Sequence, residues 1–96
     1  MEILWTWRAR QDLREIYRYI ANQSPGAARS VRDRIKKGAR ILREQPNSGR
    51  PGRVEGTREL VLAPLPYIIP YRVKSNRVEL LRVLHTSRLG PDQFPE

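Results

Sequence analysis

Cysteine is absent from these 96 residues, and histidine, phenylalanine and methionine occur once each. Without thiols there is no disulfide framework and no thiolate metal site, which suits a reducing cytosol. Zinc is not expected on the same ground, and neither is another metal or a cofactor. Nowhere does the chain hold the roughly 18 uninterrupted apolar residues of a membrane span. The opening Met1-Glu2-Ile3-Leu4-Trp5 also lacks the basic n-region and long apolar h-region of an export signal. A cytoplasmic location is expected. Acidic residues are scarce as well, with 10 Asp+Glu against 19 Lys+Arg and a formal charge of +9.

The basic set is 16 Arg and only 3 Lys. A guanidinium is a planar, permanently charged fork that grips oxyanions bidentately, so the expected partner is nucleic acid or an acidic protein. The length fits one domain, residues 1–96, because cores below roughly 100 residues already bury a limited share of their surface. Hydrophobic residues make up 39%, enough for a small core and too many for wholesale disorder.

Residues 2–7 alternate, with Ile3, Trp5 and Trp7 on one side, and read as a strand. Over residues 8–21 the apolar Ala9, Leu13, Ile16, Tyr17 and Ile20 recur at three- and four-residue steps while Arg10, Arg14 and Arg18 take another face, which predicts an amphipathic helix. Ser24 is a good N-cap and Pro25 suits a first helical position, so a second helix starts there with the stripe Ala28, Val31, Ile35, Ala39 and Leu42, ending near Gln45-Pro46. So short a connection makes an antiparallel helical hairpin. Residues 46–56 are a turn-rich loop. Three strand-like runs follow at 57–63, 67–73 and 77–84, forming an antiparallel meander. Pro70 cannot donate to a ladder and should mark a bulge or a nitrogen that faces no partner strand. Residues 89–96 are too rich in Gly and Pro for a helix and read as a flexible tail, with Phe94 as a loose packing contact. The order β-α-α-β-β-β implies an α+β fold, a helical hairpin packed on a mostly antiparallel four-stranded sheet.

Residues 1–45 hold 11 basic and 5 acidic residues, and residues 46–88 hold 8 and 3. Helical spacing suggests the pairs Asp12 with Arg8, Glu15 with Arg18 and Asp33 with Lys37, each worth a few tenths of a kcal/mol. In the second half Arg50, Arg53, Arg58, Arg72, Arg82, His85 and Arg88 come from a loop, strand positions and a strand end that a meander can gather into a concave anion site.

An ordered set of residues carries a resemblance. Trp5, Ala9, Asp12-Leu13, Ile16 and Tyr19-Ile20-Ala21 are followed by Pro46, Gly49-Arg50 and Gly56-Thr57-Arg58-Glu59-Leu60-Val61, then by Tyr67-Ile68-Ile69-Pro70-Tyr71-Arg72-Val73 and Val83-Leu84-His85. This pattern resembles the RelE/ParE superfamily of bacterial toxins over nearly the whole chain, and its wording is closer to the ParE branch. The resemblance implies the toxin of a type II toxin–antitoxin module, restrained by a cognate acidic antitoxin in a hetero-oligomer. Its ParE-like members poison DNA gyrase, whereas its RelE-like members cut messenger RNA on the ribosome.

Metal-free RNA cleavage needs cations around the phosphate and a group that moves a proton. The resemblance makes Arg53, Arg58, Arg82 and His85 the candidate catalytic residues of a ribonuclease, with solvated surface or antitoxin contact as the other reading of Arg53 and Arg58. Arg82 can equally be tied up in an ion pair near Glu59 or Glu79, and Arg72 in a similar one. The tail offers Phe94 where several nucleases carry an aromatic or hydroxyl group that serves the reaction, which leaves the proton-transfer set incomplete and favours gyrase inhibition. The antitoxin-binding candidates are Trp7, Tyr17, Arg72 and Arg88, with Trp5 more a core residue, since Trp and Tyr are favoured interface anchors.

Overall fold

Thr6 decides where the first strand stops. Its hydroxyl accepts from the Ala9 amide at 3.3 Å and donates to the Leu80 carbonyl at 2.6 Å, so the residue caps a helix and ties that helix to a distant strand end. The computed structural model describes residues 1–88. Strand β1 is therefore Glu2–Trp5, and helix α1 runs Trp7–Ala21. Trp7, expected in the strand, opens the helix instead and is 66% exposed.

Ser24 caps the second helix as expected, accepting from the Ala27 amide at 3.2 Å, and Pro25 begins it. Helix α2 spans Pro25–Ala39 and tightens into a 3-10 turn at Arg40–Arg43. The anticipated stripe faces inward: Ala28, Ile35, Ala39 and Leu42 are buried, and Val31 packs against the core.

The sheet has six strands rather than four. After β2 (Arg50–Pro51) and β3 (Arg58–Val61) come β4 (Tyr67–Lys74), β5 (Arg77–Leu80) and β6 (Leu84–His85), followed by a 3-10 turn at Thr86–Arg88. The order is β1-β5-β4-β3-β2, with β1 parallel to β5, the other pairings antiparallel, and β6 also on β4. Ser75 and Asn76 turn the β4–β5 hairpin with φ of 54° and 60°.

One predicted strand, 77–84, is split in two, and Pro70 lies at the break. Tyr71 pairs with Leu80 and Ile68 with Leu84, so Ile69 and Pro70 face three residues, Leu81, Arg82 and Val83. That is a bulge, and Leu81 donates to the Pro70 carbonyl at 2.8 Å across it.

Strand alternation divides the sheet into two faces. Leu60, Tyr67, Ile69, Tyr71, Val78 and Leu80 join Ala9, Leu13, Ile35, Ala39 and Leu42 in one core under the helices. Glu59, Arg72, Lys74, Arg77 and Glu79 take the opposite, outer face.

Candidate functional site

Three polar arrangements stand out, each centred on a different element pair. The first is a groove of about 1180 Å³ between β1 and the helical hairpin. Ile3, Trp5, Leu13 and Tyr17 give it apolar surface, and β1 is an edge strand with an unpaired side among the described residues. Around it stand seven cations, Arg10, Arg14 and Arg18 from α1 with Arg32, Lys36, Arg40 and Arg43 from α2 and its 3-10 extension, against one acid, Glu2. Arg32 also sits 5.2 Å from the centroid of the Tyr17 ring. The four-residue spacing of Arg10, Arg14 and Arg18 was visible in the sequence, but not that β1 would close a groove beside them.

The expected helical ion pairs give way to longer-range ones. Asp12 does not serve Arg8: it receives Arg82 bidentately, Nε at 2.7 Å and Nη2 at 3.1 Å, and the Val83 amide at 2.9 Å. Asp33 takes Arg32, its sequence neighbour, rather than Lys37, and Glu15 forms no ion pair with Arg18 among the described residues. Arg82 cannot reach Glu59 or Glu79, because it follows Val78 and Leu80 to the helix side of the sheet while both glutamates occupy the outer face. Helix α1 thus gives Asp12 to the sheet, and among the described residues its Arg10, Arg14 and Arg18 form no ion pair beside the groove.

The second arrangement is on the outer face, where two carboxylates each hold two arginines. Glu59, its side chain 2% exposed, accepts from Arg50 Nε and Nη2 at 3.2 and 3.0 Å and from the Arg53 amide at 3.2 Å, with Arg53 Nε at 3.8 Å. Glu79 accepts from Arg72 Nε at 2.7 Å and lies 3.8 Å from Arg77 Nε. The Arg72 hydrogen bond holds the Glu79 carboxyl below its ordinary range despite burial. The expectation of an ion pair for Arg72 is met, whereas these two carboxylates as anchors were not anticipated.

The same loop is tied to the core through Tyr71. Its hydroxyl donates to the Pro46 carbonyl at 2.7 Å and accepts from the Gly49 amide at 2.9 Å, while Arg58 donates to the carbonyls of Gly49 at 2.8 Å and Asn47 at 3.3 Å. Burial raises the Tyr71 phenol, opposed by the Gly49 bond and by Arg58. Gly49 is required here, because a Cβ would lie 2.6 Å from the Tyr71 ring and 2.9 Å from the Glu59 carbonyl.

The third arrangement surrounds His85. Nδ1 accepts from the Ser87 amide at 3.1 Å and has Ser87 Oγ at 2.7 Å, which leaves the proton of a neutral ring on Nε2. The ring meets Tyr67 edge-on at 5.4 Å.

The four candidate catalytic residues therefore distribute over both faces. Arg53 belongs to the Glu59 cluster outside, Arg82 to Asp12 inside, and Arg58 to loop carbonyls. Arg58 pairs with Tyr71 and His85 with Tyr67, on strands flanking β4. By strand geometry their backbones are roughly 16 Å apart. Of the antitoxin-binding candidates, Tyr17 lines the groove, Trp7 is exposed outside it, and Arg72 is on the outer face. The Arg88 side chain and the tail with Phe94 lie outside what the structure describes. Among the described residues no helix is long and apolar enough to cross a membrane, and no cluster of His, Asp or Glu could hold a metal ion.

Comparison with known proteins places this architecture. The family described as "ParE toxin of type II toxin-antitoxin system, parDE" matches residues 3–90, so the chain belongs to the ParE toxin family. The chain is similar to Y4kP of Sinorhizobium fredii, 52% identical over 89 residues, covering 93% of this chain and 92% of that protein. It is also similar to Toxin RelE2 of Caulobacter vibrioides, 42% identical over 88 residues, covering 92% and 98%. A solved structure titled "Chromosomal ParDE TA system from P. aeruginosa" superposes with a TM-score of 0.80 at 32% identity, covering 88% of this chain and 95% of that one.

Proposed function

We propose that the protein is a growth-inhibiting toxin that acts on DNA gyrase and is neutralised by an acidic antitoxin segment seated in the groove beside β1. The observation that carries the antitoxin reading is the make-up of that groove: seven cations to one acid around apolar surface, along an open strand edge. A partner segment can add backbone hydrogen bonds to β1, bury an apolar side chain against Trp5 and Leu13, and face its carboxylates toward the helical arginines. Membership of the ParE toxin family supports gyrase as the target.

A supercoiling assay with reconstituted gyrase tests the target: a stoichiometric excess of folded toxin should block supercoiling, and unchanged activity would refute it. Ribosome-dependent messenger cleavage is the second reading, favoured by the name Toxin RelE2 of the Caulobacter relative. The wide spacing of Arg58 and His85 weighs against that chemistry. Mapping messenger RNA ends after induction separates the readings, because codon-phased cuts that vanish in His85→Ala belong to the second alone. Co-expression with an acidic antitoxin should restore growth and yield a complex that dissociates faster when Trp5 is truncated.

A further inference from the structure

The outer face of the sheet meets the groove only at its β1 edge, through Glu2 and Leu4, and away from that edge it carries Arg50, Arg72, Lys74 and Arg77 on its strands. Charge is segregated by depth there. The carboxylates of Glu59 and Glu79 are 2% and 11% exposed, while the side chains of Arg50, Arg53, Arg72 and Arg77 are 34–53% exposed. Buried acid beneath exposed base does two things. It holds Arg50 and Arg72 in place through Nε–H hydrogen bonds, which removes much of the ordering entropy a ligand would otherwise have to meet, and among the described residues it leaves the Arg72 Nη donors without a hydrogen-bond acceptor. A solvent-side partner therefore meets positive charge.

We propose that this outer face binds the phosphate backbone of duplex DNA. The chemistry of the face selects a duplex over single-stranded RNA, which is recognised by stacking splayed bases on aromatic rings. Among the described residues this face has none: Trp5, Tyr67 and Tyr71 all turn toward the helices. An acidic protein segment is disfavoured too, because the exposed apolar side chains on the outer strand positions, Leu4 and Val61, lie on strands at opposite sides of the sheet and form no anchor pocket. Spacing agrees with a duplex. Glu59 pairs with Pro70 and Glu79 with Arg72, so the two carboxylates that anchor the arginines flank β4 two residues apart. Strand geometry then separates them by roughly 12 Å, about the width of the major groove between its phosphate rows.

The proposal does not depend on gyrase or on the antitoxin, and its test uses neither. Fluorescence anisotropy of the full chain with a short duplex DNA, titrated across salt, is compared for wild type, for the outer-face variant Lys74→Gln/Arg77→Gln and for the groove variant Arg14→Gln/Arg18→Gln. Each glutamate keeps its closer arginine in the outer-face variant, and circular dichroism melts verify folding. A second variant, Lys74→Glu alone, takes no arginine from either buried glutamate. The expected result is a log–log salt slope lowered by about two in the double outer-face variant, affinity reduced at least roughly tenfold near 0.1 M salt, a smaller loss in Lys74→Glu, and near wild-type behaviour in the groove variant. Equal losses from groove and outer-face variants would overturn the assignment, as would tighter binding to single-stranded RNA than to the duplex.

Discussion

Replacing Asp12 with alanine removes three acceptor contacts at once, two from Arg82 and one from the Val83 amide. The side chains of Arg82 and Asp12 are only 21% and 14% exposed, so the variant leaves a guanidinium without its partner in a mostly dry setting. Breaking a fully buried pair costs about 3–5 kcal/mol, and the residual exposure here brings that to about 2–4 kcal/mol. In a domain of this size the loss corresponds to roughly 10–25 °C in melting temperature. Urea unfolding of wild type, Asp12→Ala, Arg82→Ala and the double variant isolates the pair, with an expected coupling of about 1.5–3 kcal/mol for charged hydrogen bonds. A single-variant loss below about 1 kcal/mol, or two additive losses, would refute the view that this pair pins the bulge to α1. The same cycle bears on the ribonuclease reading, because an arginine whose main contribution is to stability is poorly placed to release its guanidinium to a substrate phosphate.

Tyr71→Phe strips the Pro46 carbonyl and the Gly49 amide of their partner and should cost about 1–3 kcal/mol, with faster hydrogen exchange at the Gly49 amide as the local signature. Unchanged exchange there would remove the loop-anchoring role. Gly49→Ala should cost about 1–3 kcal/mol through overpacking against Tyr71, and a variant as stable as wild type would show that the loop yields freely. The carboxyl of Glu79 is lowered on folding, so the stability it lends is present above its ordinary value of 4.5 and lost as pH falls through the lower, folded value. Glu79→Gln should flatten that part of the stability–pH curve, and an unaltered curve would assign the acid loss elsewhere. Arg14→Glu/Arg18→Glu should slow antitoxin association at low salt while changing dissociation little, with the difference closing as salt rises; a salt-independent defect would contradict electrostatic steering.

Local signals carried most of the architecture. The hairpin was legible because Ser24 and Pro25 specify a helix start and the stripe from Ala28 to Leu42 specifies a buried face, both within one or two turns of chain. Pro70 was legible as a defect in the ladder, since a missing N–H is a covalent fact. What the alternation concealed was the end of the first strand. Trp7 continues the period of Ile3 and Trp5, but Thr6 has a better use for its hydroxyl, capping α1 while bonding to Leu80, a residue 74 positions away. Likewise β2 is two residues long and exists because Arg50 and Pro51 find Glu59 and Arg58, which no turn propensity announces.

The partners of the charged residues were the least legible part, for a physical reason. Sequence spacing ranks ion pairs by helical neighbourhood, where each is worth a few tenths of a kcal/mol, so any burial-driven alternative outbids it. Asp12 illustrates the contest: Arg8 is one helical turn away, yet the bulge brings Arg82 and an amide N–H to the same carboxylate, 70 and 71 positions along the chain. Each such long-range capture changes the surface left behind. Asp12 is committed to Arg82 while Arg10, Arg14 and Arg18 line the groove with no ion pair among the described residues, and Glu59 and Glu79 lie buried beneath arginines on a sheet face that holds more cations than acids. The surplus of positive charge was countable from composition; its division into two surfaces with different partners follows from where the few acids are buried.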